Sequence, residues 1–191
     1  EVRAMKRERF GILTLKGIGF VILGNVLCLI MTMAIFVFGS NMLVKVLAIA
    51  FSAVIFFSLV FTAAWKNGVK ERNLVKLGRV DNLIKYRWIA IGLIMFAFAV
   101  LPTVYLLINK LFFPEQDNLL IYQFISGSAY PLVLTFTPQA DALVSQVSRV
   151  EGMDVMFPVL MIVYYALIPV FTQLGYWIGF NDKLNSDKIM Y

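Results

Sequence analysis

The chain has 191 residues, of which 61% are hydrophobic and 15% charged, with a net charge of +6, no histidine and one cysteine. Soluble domains are about half apolar and about a quarter charged, so a single soluble core is excluded as a home for this much apolar surface. A lone Cys28 rules out an intrachain disulfide, and the lack of histidine removes the commonest general base, proton shuttle and metal ligand.

The chain opens on a basic segment, Arg3, Lys6, Arg7, Arg9 and Lys16 against Glu1 and Glu8. Met5 reads as a natural start, with residues 1–4 preceding it. A basic segment before an apolar run also resembles a signal peptide. The run after Lys16 is far longer than a secretory apolar core, however, and no small-residue cleavage pattern follows, so it is read as a first span. Five stretches lack any Asp, Glu, Lys or Arg: 17–44, 46–65, 88–109, 118–140 and 155–181. A helix needs about 20 apolar residues to cross about 30 Å of hydrocarbon, and nothing here alternates as barrel strands do. Four of the stretches are apolar throughout and predict spans at 17–39, 45–66, 87–109 and 156–180.

Between the first two spans, Gly39-Ser40-Asn41 predicts a tight turn and an antiparallel helical hairpin. Asn67-Gly68 predicts the end of the second helix. A basic loop over 66–87 follows, broken by Gly78, with Asp81 placed to cap the third helix. Trp65, Trp88 and Trp177 sit near span ends, where interfacial aromatics gather. Pro102, Pro158 and Pro169 are expected to bend their helices or lie near helix ends. The segment 110–155 is too long for a simple connector. Its stretch 118–140 carries Gln123, Ser126, Gly127, Ser128, Pro131 and Pro138, and reads as a fifth span, a re-entrant segment or an interfacial helix. Beyond it, Leu143, Val147 and Val150 recur at helical spacing.

Charge sets the expected orientation. Residues 1–16 hold five basic against two acidic residues (+3), 66–87 seven against two (+5), and 110–154 two against five (−3). Cytoplasmic segments are enriched in Lys and Arg, so the first two lie inside and the acidic segment outside. Four spans then bring both termini to the cytoplasm, whereas five would place 141–154, with one basic and three acidic residues, inside. The expectation is therefore an all-α integral membrane protein of the cell membrane. It is a four-transmembrane-helix bundle with a partly helical or re-entrant outer segment between helices 3 and 4, forming a single membrane domain over 1–191.

None of the four spans contains Asp, Glu, Lys, Arg or His away from its ends. Proton relays and many ion-coupled sites use intramembrane ionisable groups, so that chemistry is disfavoured. Asn25, Thr172 and Gln173 are candidates for a polar cavity, weighed against plain interhelical hydrogen bonding at about 1 kcal/mol or less each. Gly17, Gly24 and Cys28 form a small-residue packing face, within the monomer or toward another chain. Lys66, Lys70, Arg72, Lys76 and Arg79 are candidates for contact with anionic inner-leaflet lipids or a partner, against the plainer role of fixing topology. Nucleic acid is not an expected partner, because no recognition fold accompanies the charge.

Enzyme motifs are missing: there is no P-loop, dinucleotide fingerprint, H-E-x-x-H or nucleophile elbow. Ser126-Gly127-Ser128 has no histidine partner. The outer carboxylates Glu115, Asp117, Asp141, Glu151 and Asp154 lack EF-hand spacing for a hard cation. No cofactor and no metal are expected. The general pattern resembles small bacterial membrane proteins as a class, with no motif that names a family. The expected function is a non-catalytic accessory or structural subunit acting through helix faces and surface segments, with a membrane-protein partner or as a homo-oligomer. The alternatives are a small transporter or channel for an apolar or lipid-like solute, and an outer-leaflet lipid-modifying enzyme.

Overall fold

Apolar runs of this length fold as helices because a helix satisfies its own backbone groups, which lipid cannot do. The computed structural model describes residues 8–38, 41–79, 86–112, 122, 125–132 and 156–181. Among them the regular elements are all helical: α1 (Phe10–Phe36), α2 (Met42–Lys76), α3 (Arg87–Phe112), a 3-10 turn (Gly127–Ala129), α4 (Met156–Tyr165) and α5 (Leu167–Phe180). Four stretches are long and apolar enough to cross a membrane: α1, α2, α3, and α4 with α5 taken together. They fit a multi-pass membrane protein. Asp81, the five outer carboxylates and the 143–150 periodicity lie outside the described residues.

In α1 the buried positions are Leu13, Gly17, Val21, Gly24, Cys28 and Thr32. They recur every three or four residues, which makes one stripe along the helix. Away from this stripe α1 exposes mostly apolar side chains, among them Ile22, Leu23, Val26, Leu27 and Ile30. The main core joins this stripe to Phe56, Phe57 and Val60 of α2, Trp88, Ile91 and Met95 of α3, and Tyr165, Ile168 and Tyr176 of α4 and α5. A second, smaller core gathers Leu106, Tyr122, Ala129, Phe157 and Met161.

Helix α2 differs from the expected second span. Its start is capped as the turn residues suggest, with the Asn41 Oδ1 accepting from the Val44 N–H at 2.9 Å. Its end is not at Asn67-Gly68, and the helix continues to Lys76. Asn67 donates back to the Ala63 carbonyl at 2.9 Å. Gly68 serves close packing, since a Cβ there would stand 2.4 Å from the Tyr176 carbonyl oxygen of α5. The helix stops instead at Gly78, whose φ of 63° is the left-handed conformation that favours glycine. Arg79 N–H reaches the Leu74 carbonyl and Gly78 N–H the Val75 carbonyl, both at 3.0 Å, which is the paired bonding of a Schellman end. The stretch 66–76, expected as loop, is thus helical.

The prolines act in different ways. Pro102 lies within a continuous α3. Pro158 falls in the first turn of α4, where its missing N–H would have had no intrahelical acceptor. Pro169 cannot donate to the Tyr165 carbonyl four residues back, and the last span breaks beside that position, at Ala166, into α4 and α5.

Helices α2 and α5 share the most extensive packing of the described helix pairs. A Cβ on Gly175 would stand 2.5 Å from the Phe61 carbonyl oxygen, and one on Gly179 2.3 Å from that of Trp65. Together with Gly68, these glycines let the two backbones touch.

Candidate functional site

Two polar assemblies tie the helices together, one at mid-depth and one at the end where the basic residues lie. The first is built on Asn25. Its side-chain oxygen accepts from the Ser128 backbone N–H at 3.1 Å and from the Ser128 hydroxyl at 2.6 Å. The Ser128 hydroxyl also lies 3.2 Å from the Tyr165 hydroxyl at the end of α4. Asn25 stands about 22 Å along α1 from Phe10 and about 17 Å from Phe36, well inside the helix. The turn fits there because residue 127 is glycine: a Cβ would fall 2.1 Å from the Asn25 carbonyl oxygen. Nearby, Tyr122 and Thr103 share a hydroxyl–hydroxyl contact at 3.3 Å. Farther along α1, Thr32 and Ser52 do the same at 3.1 Å, and the Cys28 thiol donates to the Ser52 carbonyl at 3.3 Å.

The second assembly contains charge. Arg87 and Glu71 are both 7% exposed, and their side chains pair at 2.8 Å. The Tyr176 hydroxyl donates to the other Glu71 oxygen at 2.8 Å. Arg87 donates to the Glu8 carbonyl oxygen. The Glu8 carboxylate pairs with Lys16 at 2.8 Å and Lys70 at 2.7 Å. Hydrogen bonds from Lys16 and then Lys70 hold the Glu8 carboxyl below its ordinary value of 4.5. The start of α1, the far end of α2, the start of α3 and the end of α5 therefore meet at one end of the molecule. Trp88, expected at the lipid interface, is buried there, with its ring 6.1 Å from that of Tyr176. Trp177 is exposed.

The residues singled out from sequence fall in different places. Asn25 joins the mid-depth assembly. Thr172 does not: its hydroxyl donates to the Trp88 and Pro169 carbonyls, about 10 Å farther along the chain's last span than Tyr165. Gln173 is partly buried on the same helix. Gly17 faces Met95 and Gly24 faces Phe56, so with Cys28 they form contacts inside the monomer. Of the five basic residues, Lys70 joins the ionic cluster and Arg72 is partly buried, while Lys66, Lys76 and Arg79 are exposed. A groove of about 400 Å³ opens along α2, lined by Ala53, Val54, Phe57, Ser58, Phe61 and Thr62 with Phe171 of α5. None of Asn25, Thr172 and Gln173 lines it.

Sequence reasoning missed five of these residues. Gly175 and Gly179 had a readable signal, two glycines four apart in an apolar helix. Glu71 and Arg87 read as loop charges. Tyr165 gave no signal. Among the described residues no group of three or more metal-ligating side chains occurs.

Compared with known proteins, the chain matches no family model, no curated protein and no solved structure.

Proposed function

We infer that this chain is a four-helix bundle of the cell membrane with both termini in the cytoplasm, serving as a non-catalytic accessory or structural subunit. The meeting of α1, α2, α3 and α5 ends in one ionic cluster supports an even number of crossings. The Lys and Arg excess at that end supports its cytoplasmic placement. Burial of Ser128 against Asn25 supports a re-entrant outer segment, which lipid tolerates only where protein covers its backbone.

The observation that carries the functional reading is the use of Asn25. A polar side chain in mid-span that lined a pathway would face a cavity, whereas this one accepts two internal hydrogen bonds. That favours a scaffold that presents lipid-facing helices and exposed cations to partners over a transporter. The partners are a second membrane protein or copy, and anionic lipids at Lys66, Lys76 and Arg79. Affinity purification in mild detergent tests this. A second polypeptide, or a second copy, is expected in stoichiometric amount; a clean monomer would contradict it.

A further inference from the structure

The groove along α2 is built from two adjacent rows at four-residue spacing, Ala53–Phe57–Phe61 and Val54–Ser58–Thr62. Phe171 of α5 closes one side, stacked on Phe57 at 4.6 Å between ring centres. Its volume of about 400 Å³ lies within the range of ligand pockets, about 300–1,000 Å³. From residue 53 to residue 62 is about 14 Å along the helix. That is close to the depth of one leaflet, half of about 30 Å of hydrocarbon. The next member of the second row is Lys66, about 6 Å beyond Thr62. It is exposed, and it is the first charge after the uncharged run 46–65. Apolar wall, leaflet depth and a cation at headgroup level thus follow one another along one helix face.

We propose that this groove seats one acyl chain of an anionic phospholipid from the leaflet on the Lys66 side, with its headgroup phosphate on the Lys66 ammonium. A partner helix fits less well. It would need close approach along a full span, whereas this groove ends at one leaflet's depth. The proposal rests on the membrane reading above, and flotation of the chain with vesicles tests that part separately.

The test is native mass spectrometry of the full chain in mild detergent, titrated with phosphatidylglycerol or with phosphatidylcholine carrying the same acyl chains. The first lipid bound should favour phosphatidylglycerol. Lys66→Gln should weaken that preference about fivefold, the effect of one surface cation, while Lys45→Gln, in the first turn of α2 and about 32 Å along the helix from Lys66, should leave it unchanged. Ser58→Phe should abolish the first adduct of both lipids. Val54→Phe, also on the exposed rim, should do the same and guards against a folding defect in either variant. Equal effects of Lys66→Gln and Lys45→Gln, or a first adduct that survives both phenylalanines, would overturn the proposal. So would a lipid-independent dimer that Ser58→Phe dissociates, since a helix would then be the occupant.

Discussion

Asn25, Ser128 and Tyr165 show how a few hydroxyl and amide groups can position a segment in apolar surroundings. An intramembrane hydrogen bond contributes about 0.6 kcal/mol on average and up to about 2. Asn25→Leu removes the acceptor of two bonds at once, so a loss of about 1–2 kcal/mol is expected, read as a fall in thermal midpoint of a few degrees. Ser128→Ala should cost less. The double variant should fall short of the sum, because both remove the same contact. Additive losses would mean that the two residues act separately. The ionic cluster is more demanding. Glu71→Ala strands the buried Arg87 guanidinium, and stability in denaturant titration should drop by about 3 kcal/mol or more. Glu8 gives a pH dependence of definite sign. Its folded carboxyl is held low by Lys16 and Lys70. Its contribution is therefore present above the unfolded value and is lost as pH falls through the lowered folded one. Glu8→Gln should be less stable than the parent at neutral pH, with the gap closing below about pH 4.5. A gap that persists in acid would mean that the carboxylate charge is not what matters.

Among the elements, α2 separates what was legible in the sequence from what was not. The apolar run 46–65 was plain because bilayer thickness fixes the length such a run needs. Asn41 was legible as a turn residue, and it caps the helix. Asn67-Gly68 misled, because the same two residue types that end helices also serve close packing, and only the position of α5 distinguishes the roles. The cue lay far along the chain, in Gly175 and Gly179. Asn25 and Ser128 stood out as polar residues, but they are 103 residues apart and no local pattern joins them. In sequence, Glu71 and Arg87 read as charges of the basic loop, because burial is a property of the assembled helices. Two measurements belong at this scale. Amide exchange should show protection running through 66–75 and ending near Gly78; exchange as fast as in a loop from residue 67 onward would contradict the extended helix. Gly175→Leu should force α2 and α5 apart at the Phe61 carbonyl and cost about 1–3 kcal/mol or more, whereas Gly19→Leu should cost little, since nothing lies within 4 Å of its Cβ position.

At the scale of the whole molecule, the uncharged runs of the spans carry no Asp, Glu, Lys or Arg, and an ionic cluster among the described residues forms at one end. Glu8 just before α1, Lys70 and Glu71 of α2, Arg87 of α3 and Tyr176 of α5 meet there. An odd number of crossings would put the end of α5 on the opposite face from the start of α1. The central claim is thus a four-span chain with its basic end in the cytoplasm. It is tested by labelling single cysteines, Asp141→Cys and Asn185→Cys, in a Cys28→Ala background with a membrane-impermeant maleimide. In intact cells residue 141 should label at once, and residue 185 only after permeabilisation. The reverse pattern, with 185 labelled from outside and 141 protected, would contradict the four-span account.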